Sequence, residues 1–243
     1  MRALFISDLH LSGERPATSQ QFFRFLGDEA ARAQALYILG DLFEYWIGDD
    51  ELDAPAGDPL GREVAQGLRR LAERGIELYF MHGNRDFLLG AGFGAAAGAA
   101  FLDDPRVVEI GGEPTLLMHG DTLCTDDHDY QNWRRTARSA EWQREFLAKP
   151  LPERRQTVLG LREKSKEVIQ AKPAAIMDVN AGAVREAFRA HGVRRLIHGH
   201  THRSARHQLE VDGRSCERWV LPDWYGPGGY LSVDEGRPYL VSF

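Results

Sequence analysis

The chain has 243 residues, 43% of them hydrophobic and 27% charged, with a formal net charge of −6. That length suits one large domain or two small ones, and the acidic balance lacks the basic excess expected of a non-specific nucleic-acid binder. Two cysteines, Cys124 and Cys216, do not make a disulfide framework and point to a reducing cytoplasm, while the opening MRALFISDLH has no secretory h-region and no run approaches the ~18 apolar residues of a membrane span.

Residues 3–6 form a first short apolar strand ending at Ser7-Asp8. A helix over about 21–32 follows, then a strand over 35–39 stopped by Gly40-Asp41. The next helix, 60–74, carries Val64, Leu68 and Leu71 at helical spacing. A strand over 76–81 then runs into His82-Gly83-Asn84, and the small-residue stretch 90–100 reads as a loop or a tight helix. Residues 114–118 deliver His119-Gly120-Asp121, and 194–197 deliver His198-Gly199-His200-Thr201-His202. The tail from about Ala205 reads as strands with turns at Asp212-Gly213 and Glu235-Gly236. Strands ending in polar clusters place a site beyond the carboxyl edge of an α/β sheet. The late antiparallel block favours a two-sheet sandwich flanked by helices over a doubly wound sheet.

Between the fourth and fifth clusters, residues 126–172 hold eleven Lys/Arg against eight Asp/Glu. They read as helices broken at Pro150 and Pro152 and ended by Pro173. We expect an insertion here that caps the site, leaving 1–125 and 173–243 as the core.

A DxH after a strand arises by chance, and GD is a common turn. In an extended segment His198, His200 and His202 point to one side, and three imidazoles on one face rarely make a core. The weight lies in the set: DxH, GD, GNxD, HGD and GHTH each follow a short apolar strand, over nearly the whole chain. Oxygen and imidazole donors without a thiolate suit Mn²⁺, with Fe and Zn as competitors, better than a structural zinc site.

In this order the motifs resemble those of the calcineurin-like metallophosphoesterases. The resemblance implies a four-layer αββα sandwich of the α/β (α+β) class and two Mn²⁺ per chain. Asp8, His10, Asp41 and His202 would hold one ion, and Asp41, Asn84, His119 and His200 the other. Asp41 would bridge them, as one carboxylate can for cations about 3.5–4 Å apart. His198 would stay outside, packing behind the ligands. Asn84, Arg85 and His119 would carry catalysis. Many relatives have His where this chain has Arg85. Arginine holds its proton at every working pH and clamps phosphate oxygens instead. We therefore expect a phosphoanhydride substrate, whose leaving group needs no strong general acid.

The segments 7–11, 40–44, 118–121, 165–167, 176–180 and 197–203 are similar to the branch of that family that hydrolyses UDP-2,3-diacylglucosamine in lipid A synthesis. What this implies is Mn²⁺-dependent release of UMP and 2,3-diacylglucosamine 1-phosphate by water attacking the α-phosphorus. Asn84, Arg85, Asp127, Ser165, Lys172 and His200 would touch substrate. Ser165, Ile169 and Lys172 share one helical face, but this branch commonly places Asn where Ile169 stands, so Ile169 is expected to meet a lipid tail if it meets substrate at all. Trp133, Trp142, Phe146, Leu147, Val158, Leu161 and Val168 offer material for an apolar trough. Arg134, Arg135, Arg138, Arg154 and Arg155 would suit anionic headgroups, at ~1 kcal/mol each at most. The expectation is a monomer, peripheral on the cytoplasmic face of the inner membrane, with no nucleic-acid partner.

Overall fold

Short apolar strands make the centre of the molecule because both of their faces can be buried. The structure is a computed structural model that describes residues 2–55, 57–171 and 177–243, with the backbone alone over 164–171. Its first strands, β1 (Arg2–Ile6), β2 (Ala35–Leu39) and β3 (Glu77–Met81), pair in parallel. Along β1 and β2, Leu4, Ile6, Leu36 and Ile38 face one cluster while Ala3, Phe5, Tyr37 and Leu39 face another. A period of two with apolar residues on both faces is what a strand covered on both sides requires.

The connections of this half are helices α1 (Pro16–Gly27), α2 (Pro59–Ala72) and α3 (Ala91–Ala97). Pro59 opens α2 where its missing N–H costs nothing, and the Asp58 carboxylate accepts from Leu60 N. Helix α1 begins earlier than its pattern predicts, at Pro16, for the same reason. Strand β4 (Ala100–Leu102) extends the sheet beside β3.

The second half contributes β5 (Arg106–Ile110), β6 (Glu113–Leu117), then helices α4 (His128–Ala137), α5 (Ala140–Leu147) and α6 (Leu151–Ala171). Pro152 sits in the first turn of α6, where a proline starts a helix instead of breaking it. Pro173 lies outside the described residues. Helix α7 (Ala181–His191), β7 (Arg195–His198), β8 (Ala205–Val211), β9 (Arg214–Val220), β10 (Gly229–Asp234) and β11 (Arg237–Ser242) complete the chain. Both predicted late turns are hairpins, with Asp212-Gly213 and Glu235-Gly236 in the left-handed region.

Two sheets result, ordered β11-β10-β1-β2-β3-β4 and β5-β6-β7-β9-β8. Phe5, Leu39 and Met81 of the first meet Ile110, Leu117, Ile197 and Trp219 of the second in a shared core. The first sheet's outer face buries α1, α2 and α3 through Phe22, Phe25, Val64, Leu68 and Phe93, and the second's buries α7 through Val184 and Phe188. The layers are therefore helix, sheet, sheet, helix. The carboxyl ends of β1, β2, β3, β6 and β7 converge, and there the polar clusters meet. Among the described residues, no helix is long and apolar enough to cross a membrane.

Candidate metal centre

The turns beyond β1 and β2, and those beyond β6 and β7, are tied in pairs before any side chain is considered. Asp8 N donates to Gly40 O at 3.1 Å, His10 N to Asp41 O at 2.9 Å, and Gly199 N to His119 O at 2.8 Å. Among the described residues, seven other than glycine have positive φ, and five of them are Asp8, His10, Asp41, His200 and His202. The remaining two are the hairpin residues Asp212 and Glu235. Left-handed backbone costs a non-glycine residue of order 1 kcal/mol or more, and such strain collects where the surroundings enforce a function. Close approach adds a second constraint: a Cβ on Gly40 would lie 2.5 Å from Gly83 Cα and 2.6 Å from His119 Nδ1.

Two donor groups emerge. Asp8, His10 and His202 form one, with His202 Nε2 3.3 Å from Asp8 Oδ1 and 3.4 Å from His10 Nε2. Asp8, Asp41 and His119 form the other, and Asn84 Oδ1 sits 3.0 Å from His119 Nε2 and 2.9 Å from His200 Nδ1. Asp41 faces both, with Oδ2 3.8 Å from His10 Nε2 and Oδ1 3.8 Å from His119 Nε2.

Whether this arrangement fits cations can be tested on its orphaned atoms. His119 Nδ1 lies 2.9 Å from Leu39 O, an acceptor, so it carries a proton. In a neutral ring Nε2 then holds only a lone pair, pointed at the lone pairs of Asn84 Oδ1. A cation seated between them would satisfy both lone pairs. Asp8 Oδ1 is likewise buried without a hydrogen-bond partner, while Oδ2 accepts from Ser7 Oγ at 2.6 Å and His200 N at 2.8 Å. Ligand bonds of about 2.0–2.2 Å at roughly right to tetrahedral angles separate donors by about 3.0–3.5 Å. The spacings above fall in or just beyond that range.

Electrostatics agree. Burial lowers the His119 imidazole's proton affinity, yet Asp41, Asp121 and Asp8 outweigh it and raise its pKa to about 9. Burial resists ionisation of Asp8, but His202, His119 and His10 hold its carboxyl well below the usual range. Three buried carboxylates, Asp41, Asp121 and Asp8, thus converge on one imidazole, an excess of negative charge that a cation would offset.

Around the donors stands a shell that fixes them. Asp86 accepts from Gly83 N at 2.9 Å, Leu42 N at 2.7 Å, Asp41 N at 3.3 Å and Phe43 N at 3.4 Å, locking two turns together. Glu44 Oε2 lies 3.4 Å from His10 Nδ1, which leaves Nε2 for the centre. Burial resists the Glu44 charge, but His10, Arg85 and Arg162 bring its pKa down to about 2. Asp121 accepts from Tyr130 Oη at 2.5 Å and Arg134 Nε at 2.7 Å, joining α4 to the centre. Glu44, Asp86 and Asp121 stand inside the motifs read from sequence, yet their roles appear only in three dimensions. The signal was their place beside a ligand.

A profile of calcineurin-like phosphoesterases matches residues 1–204. The chain belongs to the calcineurin-like phosphoesterase family. A UDP-2,3-diacylglucosamine hydrolase of Aromatoleum aromaticum is 52% identical over 244 residues, covering 100% of this chain and 98% of that one. Another, from Pseudomonas aeruginosa, is 48% identical over 236 residues, covering 96% and 95%. Among solved structures, an archaeal phosphodiesterase has a TM-score of 0.51 at 13% identity across 100% of both chains, a likeness of fold.

Within this phosphoesterase the other expected residues fall as follows. Strand β7 ends at His198, and His200 and His202 leave it with positive φ, so the three imidazoles do not share one extended face as the sequence predicts. His198 turns away: Nδ1 meets Gly199 O at 2.9 Å and Nε2 meets Arg218 Nη1 at 2.9 Å, occupying both nitrogens. Arg85 donates its backbone N–H to Asp41 Oδ1 at 2.8 Å, while Asp86 is taken by backbone amides and forms no ion pair with it. Asp127 caps α4, accepting from Tyr130 N at 3.1 Å. The side chains of Ser165, Ile169 and Val168, and the whole of Lys172, lie outside the described residues.

The arginines expected to face lipid headgroups are mostly engaged within the protein. Arg134 binds Asp121, Arg138 donates to Gly83 O at 2.8 Å, and Arg155 pairs with Glu51. Arg154 is buried against Asp50 and donates to Ile47 O at 2.6 Å. Only Arg135, bonded to Asn132, sits in an exposed contact. Four of these five arginines fasten the insertion to the core.

Proposed function

We propose that this phosphoesterase hydrolyses the pyrophosphate of UDP-2,3-diacylglucosamine to UMP and 2,3-diacylglucosamine 1-phosphate, with water attacking the α-phosphorus, as a step of lipid A synthesis. The observation that carries the reading is Arg85. Its backbone is pinned to the bridging carboxylate Asp41, its side chain is half-buried, and no acceptor among the described residues engages its guanidinium. A planar fork free beside the donor cluster can bind phosphate oxygens and offset charge on a departing phosphate. It offers no proton to an alkoxide, which disfavours simple monoesters. Relatives near 50% identity along the whole chain bear the name of this activity.

Asp8, His10, Asp41 and His202 would hold one divalent cation and Asp41, Asn84, His119 and His200 a second, both Mn²⁺ in the cell. Bound there, such ions polarise phosphoryl oxygens and acidify water. The chain's own part is to fix positions. Asn84 orients its carbonyl between two imidazoles, Glu44 and Leu39 O set the rotamers of His10 and His119, and Arg85 aligns the phosphate. Residues 126–172 would cap this cleft, with Asp127, Ser165 and Lys172 meeting the diacylglucosamine half and Ile169 an acyl chain. Exposed Trp133, Leu147 and Leu159 of the insertion, instead of its arginines, would give a monomer its peripheral contact with the inner membrane. Binding to liposomes should then survive high salt, and release by salt would refute that contact.

The test is an assay of UMP release from UDP-2,3-diacylglucosamine with Mn²⁺, with chelator, and with Asn84→Ala. Activity should require metal and Asn84, and in ¹⁸O water the label should enter UMP. Efficient cleavage of p-nitrophenyl phosphate beside an intact pyrophosphate would overturn the reading.

A further inference from the structure

A cavity of about 380 Å³ opens beside the first donor group, lined among others by Ser12, Glu14, Tyr45, Asp58, Arg155 and Arg162. This is within the span of small-molecule sites, about 300–1,000 Å³. Its walls come from four places: the turn after His10, Tyr45 beside Glu44, the start of α2 with its cap Asp58, and α6. Its link to the centre is direct. Arg162 Nε donates to Glu44 Oε1 at 3.2 Å, and Glu44 Oε2 lies 3.4 Å from His10 Nδ1.

The charged groups of the lining disfavour an acyl chain. Two arginines, two carboxylates and a serine surround one aromatic ring, and the exposed apolar side chains of the insertion, Trp133, Leu147 and Leu159, are not among them. It suits a nucleoside, which needs one flat wall and several polar partners. Tyr45 gives the wall, with the Arg162 guanidinium 5.3 Å from its ring centroid. Ser12 is 8% exposed, and its Oγ has no hydrogen-bond partner among the described residues. A buried hydroxyl left unpaired is costly unless something arriving from outside completes it. Glu14 keeps an exposed carboxylate 3.7 Å from Arg162, of the kind that receives ribose hydroxyls.

We propose that this cavity is the subsite for the nucleoside half of the substrate. The uracil stacks on the Tyr45–Arg162 wall, Ser12 Oγ bonds a polar edge of the base, and Glu14 takes the ribose diol. The inference rests on the pyrophosphatase reading above, and it places the nucleoside half of the substrate on the His10 side of the donors.

The experiment measures inhibition of the Mn²⁺ enzyme by each product, UMP and 2,3-diacylglucosamine 1-phosphate, in wild type, Tyr45→Ala, Tyr45→Phe and Ser12→Ala. Loss of one stacking partner should weaken UMP about tenfold in Tyr45→Ala. Tyr45→Phe should keep UMP within about twofold, and no variant should change inhibition by the lipid product. Ser12→Ala should weaken UMP by a few-fold. Equal weakening of both products, or none of UMP, overturns the subsite. Should Tyr45→Ala fail to fold, a normal UMP affinity in Ser12→Ala together with a weakened one in Tyr45→Phe would overturn it too. Wild-type enzyme inert on the diacyl substrate would instead overturn the activity, and direct titration of UMP into the same variants would still decide the cavity.

Discussion

The donor cleft and the helical insertion beside it are held by opposite means. The cleft is backbone-built: turns cross-bonded in pairs by main-chain amides, left-handed residues locked in place, and Asp86 buried beneath with four amides on one carboxylate. The insertion is attached by one buried aromatic, Phe146, with Trp142, Leu151 and Val158 beside it, and by long charged side chains. Arg138 reaches Gly83 O, Arg154 reaches Ile47 O and Asp50, and Arg162 reaches Glu44. Short rigid supports keep donors within tenths of an ångström, which charge chemistry needs. Extended arginines tolerate movement, and a large two-tailed substrate needs room to enter. The difference assigns precision to one region and accommodation to the other.

The largest expected effect lies in the cleft. Asp41→Ala removes a carboxylate whose two oxygens lie 3.8 Å from His10 Nε2 and 3.8 Å from His119 Nε2. Turnover should fall by at least about 10³-fold, some 4 kcal/mol of transition-state stabilisation. Bound metal, measured by elemental analysis, should fall too, while circular dichroism stays that of the wild type. Activity within tenfold of wild type at unchanged metal content would remove Asp41 from the bridge.

The insertion should respond the other way. Arg154 is 3% exposed, and truncation to Ala leaves Ile47 O and part of Asp50 unpaired. Because Asp50 remains half in water, the cost is nearer 2 kcal/mol than that of a fully buried pair. Hydrogen exchange over 128–171 should quicken by roughly thirtyfold, with metal content unchanged. Loss of metal in step with that opening would mean that the two regions are one cooperative unit and that the contrast is false.

The same contrast explains what could be read beforehand. The convergence of Asp8, His10, Asp41, Asn84, His119, His200 and His202 was legible because each follows one of five strands by two to four residues, and the sheet order does the rest. Glu44 and Asp86 lay inside quoted motifs, but nothing local says that one would orient His10 and the other lock two turns. The extended face expected of His198, His200 and His202 failed because positive φ at His200 and His202 redirects the chain, and neither residue type announces it. The arginines of the insertion were readable as charge and not as partners: an ion pair between Arg154 and Asp50 spans a hundred residues and leaves no period in the sequence.

The smallest expected effect is at the seam between the two regions. Asp104 follows β4, neither of its buried carboxylate oxygens has a hydrogen-bond partner among the described residues, and Arg134 of α4 stops 4.0 Å away, already bonded to Asp121. Burial, with the Asp121 charge behind it, raises the Asp104 pKa from 3.8 to about 6. A carboxyl raised in the folded state binds its proton more tightly there than in the unfolded chain. Its contribution is therefore complete below about pH 4 and is lost as pH climbs through about 6. The two-unit rise, with the opposing pull of Arg134 already in it, is worth at most about 3 kcal/mol. Asp104→Asn abolishes this titration. The melting temperature of the variant relative to wild type should rise between pH 4 and pH 7 by a few degrees and then level off. A difference that is flat with pH would mean that Asp104 stays charged in the folded protein, paired with Arg134, and that the seam is an ion pair like those that hold the insertion.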